Sequence, residues 1–247
     1  MMRAIALVDL DDTLFQTRAK CPEDLAVEAL TPIGFAVDGA PLSYATPRQM
    51  RFIEWLAETT HLVPVTGRSL DALRRVNVPF AAGVCAHGGV VLGEDGEPDE
   101  GWAAEIARAA ADHAGALEGY AAAITHEAEA QGVSLRVRVL EEAGVPIYTL
   151  AKHPEADHAA LFKVVDAAIP DVPAGWTLHR NGNNVAMMPP YLGKANAVAH
   201  LLPGLRARFP EASVIGVGDS LTDAPFMALC DFAMLPTRSQ LADRLFA

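Results

Sequence analysis

The sequence predicts an α/β fold, a doubly wound parallel-sheet core into which a separate α+β domain is inserted. Three short apolar runs, residues 4–8, 62–65 and 213–217, each end in polar residues. That is the pattern of strands buried on both faces of a parallel sheet. Between the second and third runs the chain reads helix, two strands, helix, two strands, an order that suits an antiparallel sheet with helices packed on it. The expected division is residues 1–83 and 190–247 for the core and 84–189 for the insert.

The elements follow in order. Residues 4–8 form the first strand and run directly into Asp9, Asp11 and Asp12. Residues 34–44, punctuated by Gly and Pro, read as a hairpin, and the segment 16–46 that holds it is either an enlarged flap or a disordered loop. A helix is expected over 47–60. The strand at 62–65 contains Pro64, which removes a ladder hydrogen bond and belongs at an edge or a bulge. An Ala-rich helix is expected over 100–130, strands over 134–140 and 146–152, and a helix over 154–168. Two strands, 176–181 and 184–188, meet across Gly182-Asn183, a hairpin signal. Helices over 194–202 and 224–229 flank the last core strand and supply crossovers that parallel strands require.

Composition limits the function. With 51% apolar residues in 247, the chain buries a sizeable core. Its net charge is −12 and it has no Lys/Arg run longer than two, so it offers no broad basic face to nucleic acid or to anionic lipid. Small anions need only a local positive site and remain compatible. Cys21, Cys85 and Cys230 form no C-x-x-C pair, which suits a reducing cytoplasm. The N-terminal apolar run meets three aspartates too soon for a signal peptide or a membrane span, so a soluble cytoplasmic protein is expected.

The chemistry concentrates at the three strand ends, where ligands bind in open α/β sheets. Asp9 and Asp11, two residues apart, point into one pocket while Leu10 turns to the core. Taken alone, such an acidic junction is more often a solvated turn or a helix cap. A second acidic group, Gly218-Asp219-Ser220-Leu221-Thr222-Asp223, follows another core strand, and clustered carboxylates repel unless a cation sits among them. A hard, oxygen-ligated ion is implied, Mg²⁺ above all. Thr66-Gly67-Arg68 follows the middle strand, where a hydroxyl and the next N–H groups suit phosphate oxygens. Lys194 opens a helix between the second and third strand ends.

Asp9-x-Asp11-x-Thr13, Thr66, Lys194 and Gly218-Asp219-x-x-x-Asp223 resemble, in order, the four motifs of the haloacid dehalogenase superfamily, over residues 4 to about 232. The αββαββ insert is similar to the large cap of its Cof-like and sucrose-phosphatase-like branch, with Ala86-His87-Gly88-Gly89 where that branch often has Asn-Gly. The resemblance implies a Mg²⁺-dependent phosphatase with Asp9 as nucleophile and Asp11 as general acid and base. Thr66 and Lys194 would neutralise phosphoryl oxygens. Asp9, the Asp11 backbone carbonyl and Asp219 would hold the metal, with Asp223 behind or through water; Thr13 would shape the loop. Asp11 favours phosphoryl transfer over dehalogenation, whose branch lacks the second aspartate. A phosphomutase of the same family and a receiver-like phosphoacceptor remain the alternatives, although a receiver has no need of so large an insert.

Other motifs fail. Gly216-Val-Gly218-Asp-Ser-Leu221 ends in Leu where a dinucleotide site needs a third glycine, and His126-Glu127 has Ala130 where a zinc protease needs histidine. On the insert, alternation places Leu135, Val137 and Val139 toward the helices and Arg136 and Arg138 on the opposite face. Trp176 and Leu178 likewise send Thr177, His179 and Asn181 to that opposite face, with Asn184 near across the hairpin. Two arginines, a histidine and two amides suit the hydroxylated or acidic leaving group of a small phosphorylated metabolite, such as a sugar phosphate or a phosphoglycerate-type compound.

Overall fold

A stretch with no polar side chain to leave at a surface lies between layers, and in β1 (Ala4–Val8) Ile5, Ala6, Leu7 and Val8 are fully buried. The computed structural model describes residues 4–246, the side chain of Asn181 excepted. Next come β2 (Gln16–Thr17), β3 (Thr31–Phe35) and β4 (Pro41–Ala45), a small antiparallel sheet in the order β2-β4-β3. The hairpin read at 34–44 is β3–β4. α1 (Pro47–Thr59) begins with Pro47 behind a capping box. Thr46 Oγ1 accepts from Gln49 N at 3.3 Å, and Gln49 Oε1 accepts from Thr46 N at 2.9 Å.

There follow β5 (His61–Pro64), α2 (Leu70–Leu73), β6 (Gly83–Cys85), β7 (Val90–Leu92), α3 (Glu100–Ala111) and α4 (Ala114–Gln131). Then come β8 (Arg136–Glu142), β9 (Val145–Lys152), α5 (His158–Ala168), β10 (Thr177–Asn181) and β11 (Asn184–Met188). The chain ends with α6 (Lys194–Arg208), β12 (Ser213–Val217), α7 (Ala224–Met227), β13 (Phe232–Met234) and α8 (Gln240–Leu245).

Two compact units result, residues 1–102 with 194–247, and residues 103–193. The β6–β7 hairpin belongs to the first unit, although the sequence placed the start of the insert at residue 84. Two contacts tie it there: Val65 bridges Val84, and the Trp102 indole N–H donates to Gly88 O at 2.9 Å.

In the first unit, β13, β12, β1 and β5 form a parallel sheet in that order. The chain passes from β1 to β5 on one side and then crosses back past β1 to β12 and β13 on the other, so the switch of direction that creates a ligand crevice falls between β1 and β12. Pro64 sits on β5 at the sheet's end, the position in which a strand tolerates its missing N–H. α6 continues past the expected 202 to Arg208 even though Pro203 lies inside it, forgoing one helical hydrogen bond.

In the second unit, β10, β11, β9 and β8 form an antiparallel sheet in that order, with α4 and α5 on one face. Leu135, Val137, Trp176 and Leu178 pack in that helix-facing core with Val185 and Met187, as alternation predicts. The Ala-rich helix is two helices rather than one. The break falls at His113, whose ring stands 5.2 Å from Tyr191 and 5.9 Å from Trp176. These ring contacts compete with helix continuation in a segment whose propensity alone would carry on.

Candidate active site

Three parallel strands deliver three sets of residues to one end of the sheet. β1 delivers Asp9, β5 delivers Thr66, and β12 delivers Asp219. Asp9 N donates to Val217 O at 2.8 Å, carrying the sheet ladder into the site itself. Asp9 is 5% exposed, and both of its oxygens are engaged. Lys194 Nζ, at the first turn of α6, donates to Asp9 Oδ1 at 2.6 Å and to Asp223 Oδ1 at 2.6 Å. Thr13 Oγ1 lies 3.1 Å from Asp9 Oδ2 and 3.1 Å from Asp219 Oδ1, so its single proton serves one carboxylate at a time.

Asp223 is fully buried and closes the loop that follows β12. Its Oδ2 accepts from Ser220 Oγ at 2.7 Å, Ser220 N at 3.0 Å and Asp219 N at 3.3 Å. Gly218 allows this approach, since a Cβ there would fall 2.6 Å from Asp223 Cβ. Ser220 went unnoticed in the sequence, where its only signal is a hydroxyl three residues before a carboxylate.

Carboxylate oxygens of Asp9, Asp219 and Asp223 lie within 4.8 Å of one another. Burial pushes Asp9 up from its ordinary 3.8 to about 7, with Lys194 pulling against it and Asp223 adding to it. Burial, then Asp223, pushes Asp219 up to about 6. Burial opposes the charge on Lys194, yet Asp9 and Asp223 together hold its ammonium above the ordinary range. Asp11 is paired with Arg68 and Asp12 with Lys20, so among the described residues Lys194 stands against three carboxylates. Two negative charges are uncompensated, the quantity that one divalent cation supplies. Oxygen-only donors suit Mg²⁺. Asp9, through lone pairs its two hydrogen bonds leave, and Asp219 could hold it, with Asp223 bracing the loop from behind.

Thr66 is buried at 1% exposure, and its Oγ1 accepts from Arg68 N at 3.1 Å. The glycine of Thr66-Gly67-Arg68 has a steric cause: a Cβ on Gly67 would come 2.5 Å from the His87 ring. Ala86 and His87 both take left-handed backbone conformations, with φ of 51° and 55°, to present that ring. Arg68 turns to Asp11: its Nε and Nη2 donate to the two Asp11 oxygens, each at 2.7 Å.

The remaining candidates lie in the second unit. Pairing places Arg138 opposite Leu150, His179 opposite Ala186 and Asn181 opposite Asn184, and strand alternation sends Arg136, Arg138, His179 and Asn184 to the face away from α4 and α5. Arg136 stands directly across from Lys152, a cation the sequence reading missed because pairing register is not written in either strand alone. Burial and Arg138 lower the pKa of Lys152.

No protein-family model and no curated protein matches the chain. Its fold is similar to those of two phosphatases of known structure. The C-terminal domain of C. albicans trehalose-6-phosphate phosphatase superposes with a TM-score of 0.54 at 14% identity, over 91% of this chain and 73% of that one. The sucrose-phosphatase of Synechocystis, solved with sucrose and phosphate, superposes with a TM-score of 0.54 at 15% identity, over 100% of this chain and 87% of that one.

Proposed function

We propose that this chain is a Mg²⁺-dependent phosphomonoester hydrolase acting on a small phosphorylated metabolite through an aspartyl-phosphate on Asp9. The observation that carries this reading is the buried Asp9 at the end of a central parallel strand, its oxygens aligned by Lys194 and Thr13 beside Asp219. The likeness to a trehalose-6-phosphate phosphatase and a sucrose-phosphatase supports a sugar phosphate as substrate. So does the group Arg136, Arg138, His179 and Asn184, which we assign to the leaving group. Among the described residues no helix is long and apolar enough to cross a membrane.

An Asp9 oxygen attacks phosphorus as the bond from phosphorus to the leaving oxygen breaks, and Asp11 gives that oxygen its proton. Asp11 then takes a proton from water, whose oxygen attacks phosphorus, releasing inorganic phosphate and restoring Asp9. Lys194 and the Thr66 hydroxyl offset charge on the phosphoryl oxygens. Asp9, Asp219 and the Asp11 carbonyl would hold Mg²⁺, which would supply further charge neutralisation.

The test is a phosphate-release screen over sugar phosphates, phosphoglycerate-type acids and nucleotides, with Mg²⁺ and with EDTA. Release that requires Mg²⁺, and that Asp9→Asn lowers by about 10³-fold or more, is expected. Conversion of a sugar phosphate to its isomer without release would make the chain a mutase. Stable labelling of Asp9 without turnover would make it a phosphoacceptor.

A further inference from the structure

The guanidinium of Arg68 is seated in a slot built by the flap. Beneath it lies the fully buried Phe15 ring, 5.1 Å from the guanidinium carbon. Beside it, Nη2 donates to Ser43 Oγ on β4 at 2.9 Å as well as to Asp11. Ser43 is 2% exposed, so it is an interior hydroxyl rather than a surface one. Gly34 on the neighbouring β3 leaves just enough room. A Cβ there would fall 3.1 Å from Ser43 Cβ and 3.3 Å from Arg68 Nη1.

The hairpin is also fastened to the segment that follows the Arg68 loop. Asn77 N donates to Ile33 O at 2.7 Å, Phe35 N donates to Arg75 O at 3.1 Å, and Gly34 bridges Val76. Hairpin and Arg68 are therefore held in one frame. A two-pronged fork onto a carboxylate fixes its plane as well as its position. Proton transfer depends on that plane, because the transferring oxygen must meet the leaving oxygen at hydrogen-bond distance. Asp11 follows Asp9 by two residues in the segment that leaves the end of β1.

We propose that Ser43 is a positioning residue of the flap: it aims the Arg68 guanidinium, and Arg68 fixes the plane of the Asp11 carboxylate for proton transfer. This rests on the reading of Asp11 as the group that protonates the leaving oxygen. It gives the segment 16–46 a task at the catalytic centre, and it turns Arg68 from a phosphate ligand into a support for Asp11.

The experiment is a set of double-mutant cycles on the Mg²⁺-saturated full chain, with an alkyl phosphate and with p-nitrophenyl phosphate. Ser43→Ala should lower kcat on the alkyl ester about tenfold and Arg68→Lys by about 10²-fold, with KM within about twofold. Losses should be smaller on the nitrophenyl ester, whose leaving group needs no proton. In the Asp11→Asn background neither substitution should lower kcat further. Further loss in that background, or a raised KM at unchanged kcat, would overturn the proposal and return both residues to substrate binding. Full activity of Asp11→Asn alone would remove the reading of Asp11 itself, a separate result that takes the proposal with it. Thermal unfolding of each variant identifies any that fails to fold, and Arg68→Lys preserves the cycle if Ser43→Ala is such a case.

Discussion

Asp223 commits both of its oxygens inside the protein, one to Lys194 and the other to the loop that carries Asp219. It is therefore a brace, whereas the side chain of Asp219, hydrogen-bonded among the described residues by Thr13 Oγ1, has an oxygen left for a cation. Asp223→Asn should weaken Mg²⁺ by about 10- to 100-fold, and Asp219→Asn should weaken it more; calorimetric titration ranks them, and the reverse order would contradict the assignment. The raised values of Asp9 and Asp219 carry a pH consequence. Between about pH 4 and pH 7 the folded, metal-free chain keeps protons that the unfolded chain has released, so these two groups make stability fall as pH rises through that window. Mg²⁺ should accordingly raise Tm more at pH 7.5 than at pH 5, and a pH-independent increment would argue against a cation between these carboxylates. That Asp9, Thr66 and Asp219 come together was legible because each lies within a few positions of a strand end that the apolar runs mark, whereas Lys194 lies at no such end. Ser43 and Ser220 were not legible, since their roles exist only once distant segments meet.

At the scale of elements, two features of the first unit show how local sequence supports the site. A Cβ on Gly218 would meet Asp223 Cβ at 2.6 Å and Met227 Sδ at 2.9 Å, and Asp223 cannot retreat without releasing Lys194. Gly218→Ala should cost about 1–3 kcal/mol in a denaturant titration and should lower Mg²⁺ affinity with it; a stable variant with normal Mg²⁺ affinity would show the loop to be more yielding than its contacts suggest. Thr46→Ala removes the side-chain cap of α1 and should cost about 1 kcal/mol in the same titration. Pro64 was readable as an edge residue, and β5 lies at the end of the sheet. The break at His113 was not readable, because ring contacts with Trp176 and Tyr191 outweigh a helical pattern that runs through it. The end of α6 was misread for the converse reason: Pro203 is a stop signal that the surrounding helix overrides.

Across the whole molecule, fold class and motif order were legible because alternating apolar runs and helices describe a parallel sheet wherever they occur. The division into units was less so, since a short hairpin such as β6–β7 carries no mark of the unit it joins. The sheet order has a kinetic implication. β1 pairs with β12 in the register Ala4 to Ser213, so the central ladder forms between opposite ends of the chain. The second unit is one continuous stretch whose hairpins, β8–β9 and β10–β11, close over a few residues. Closing long loops is entropically costly before any contact rewards it. On refolding, amides of Val137, Leu150 and Val185 should gain protection from hydrogen exchange before those of Ala6, Leu7 and Ile215, and simultaneous protection would rule this order out. During synthesis the strand that carries Asp9 then waits, unpaired on its β12 side, until residues 213–217 have emerged, so the chain assembles its inserted unit before the carboxylates of Asp9, Asp219 and Asp223 can meet.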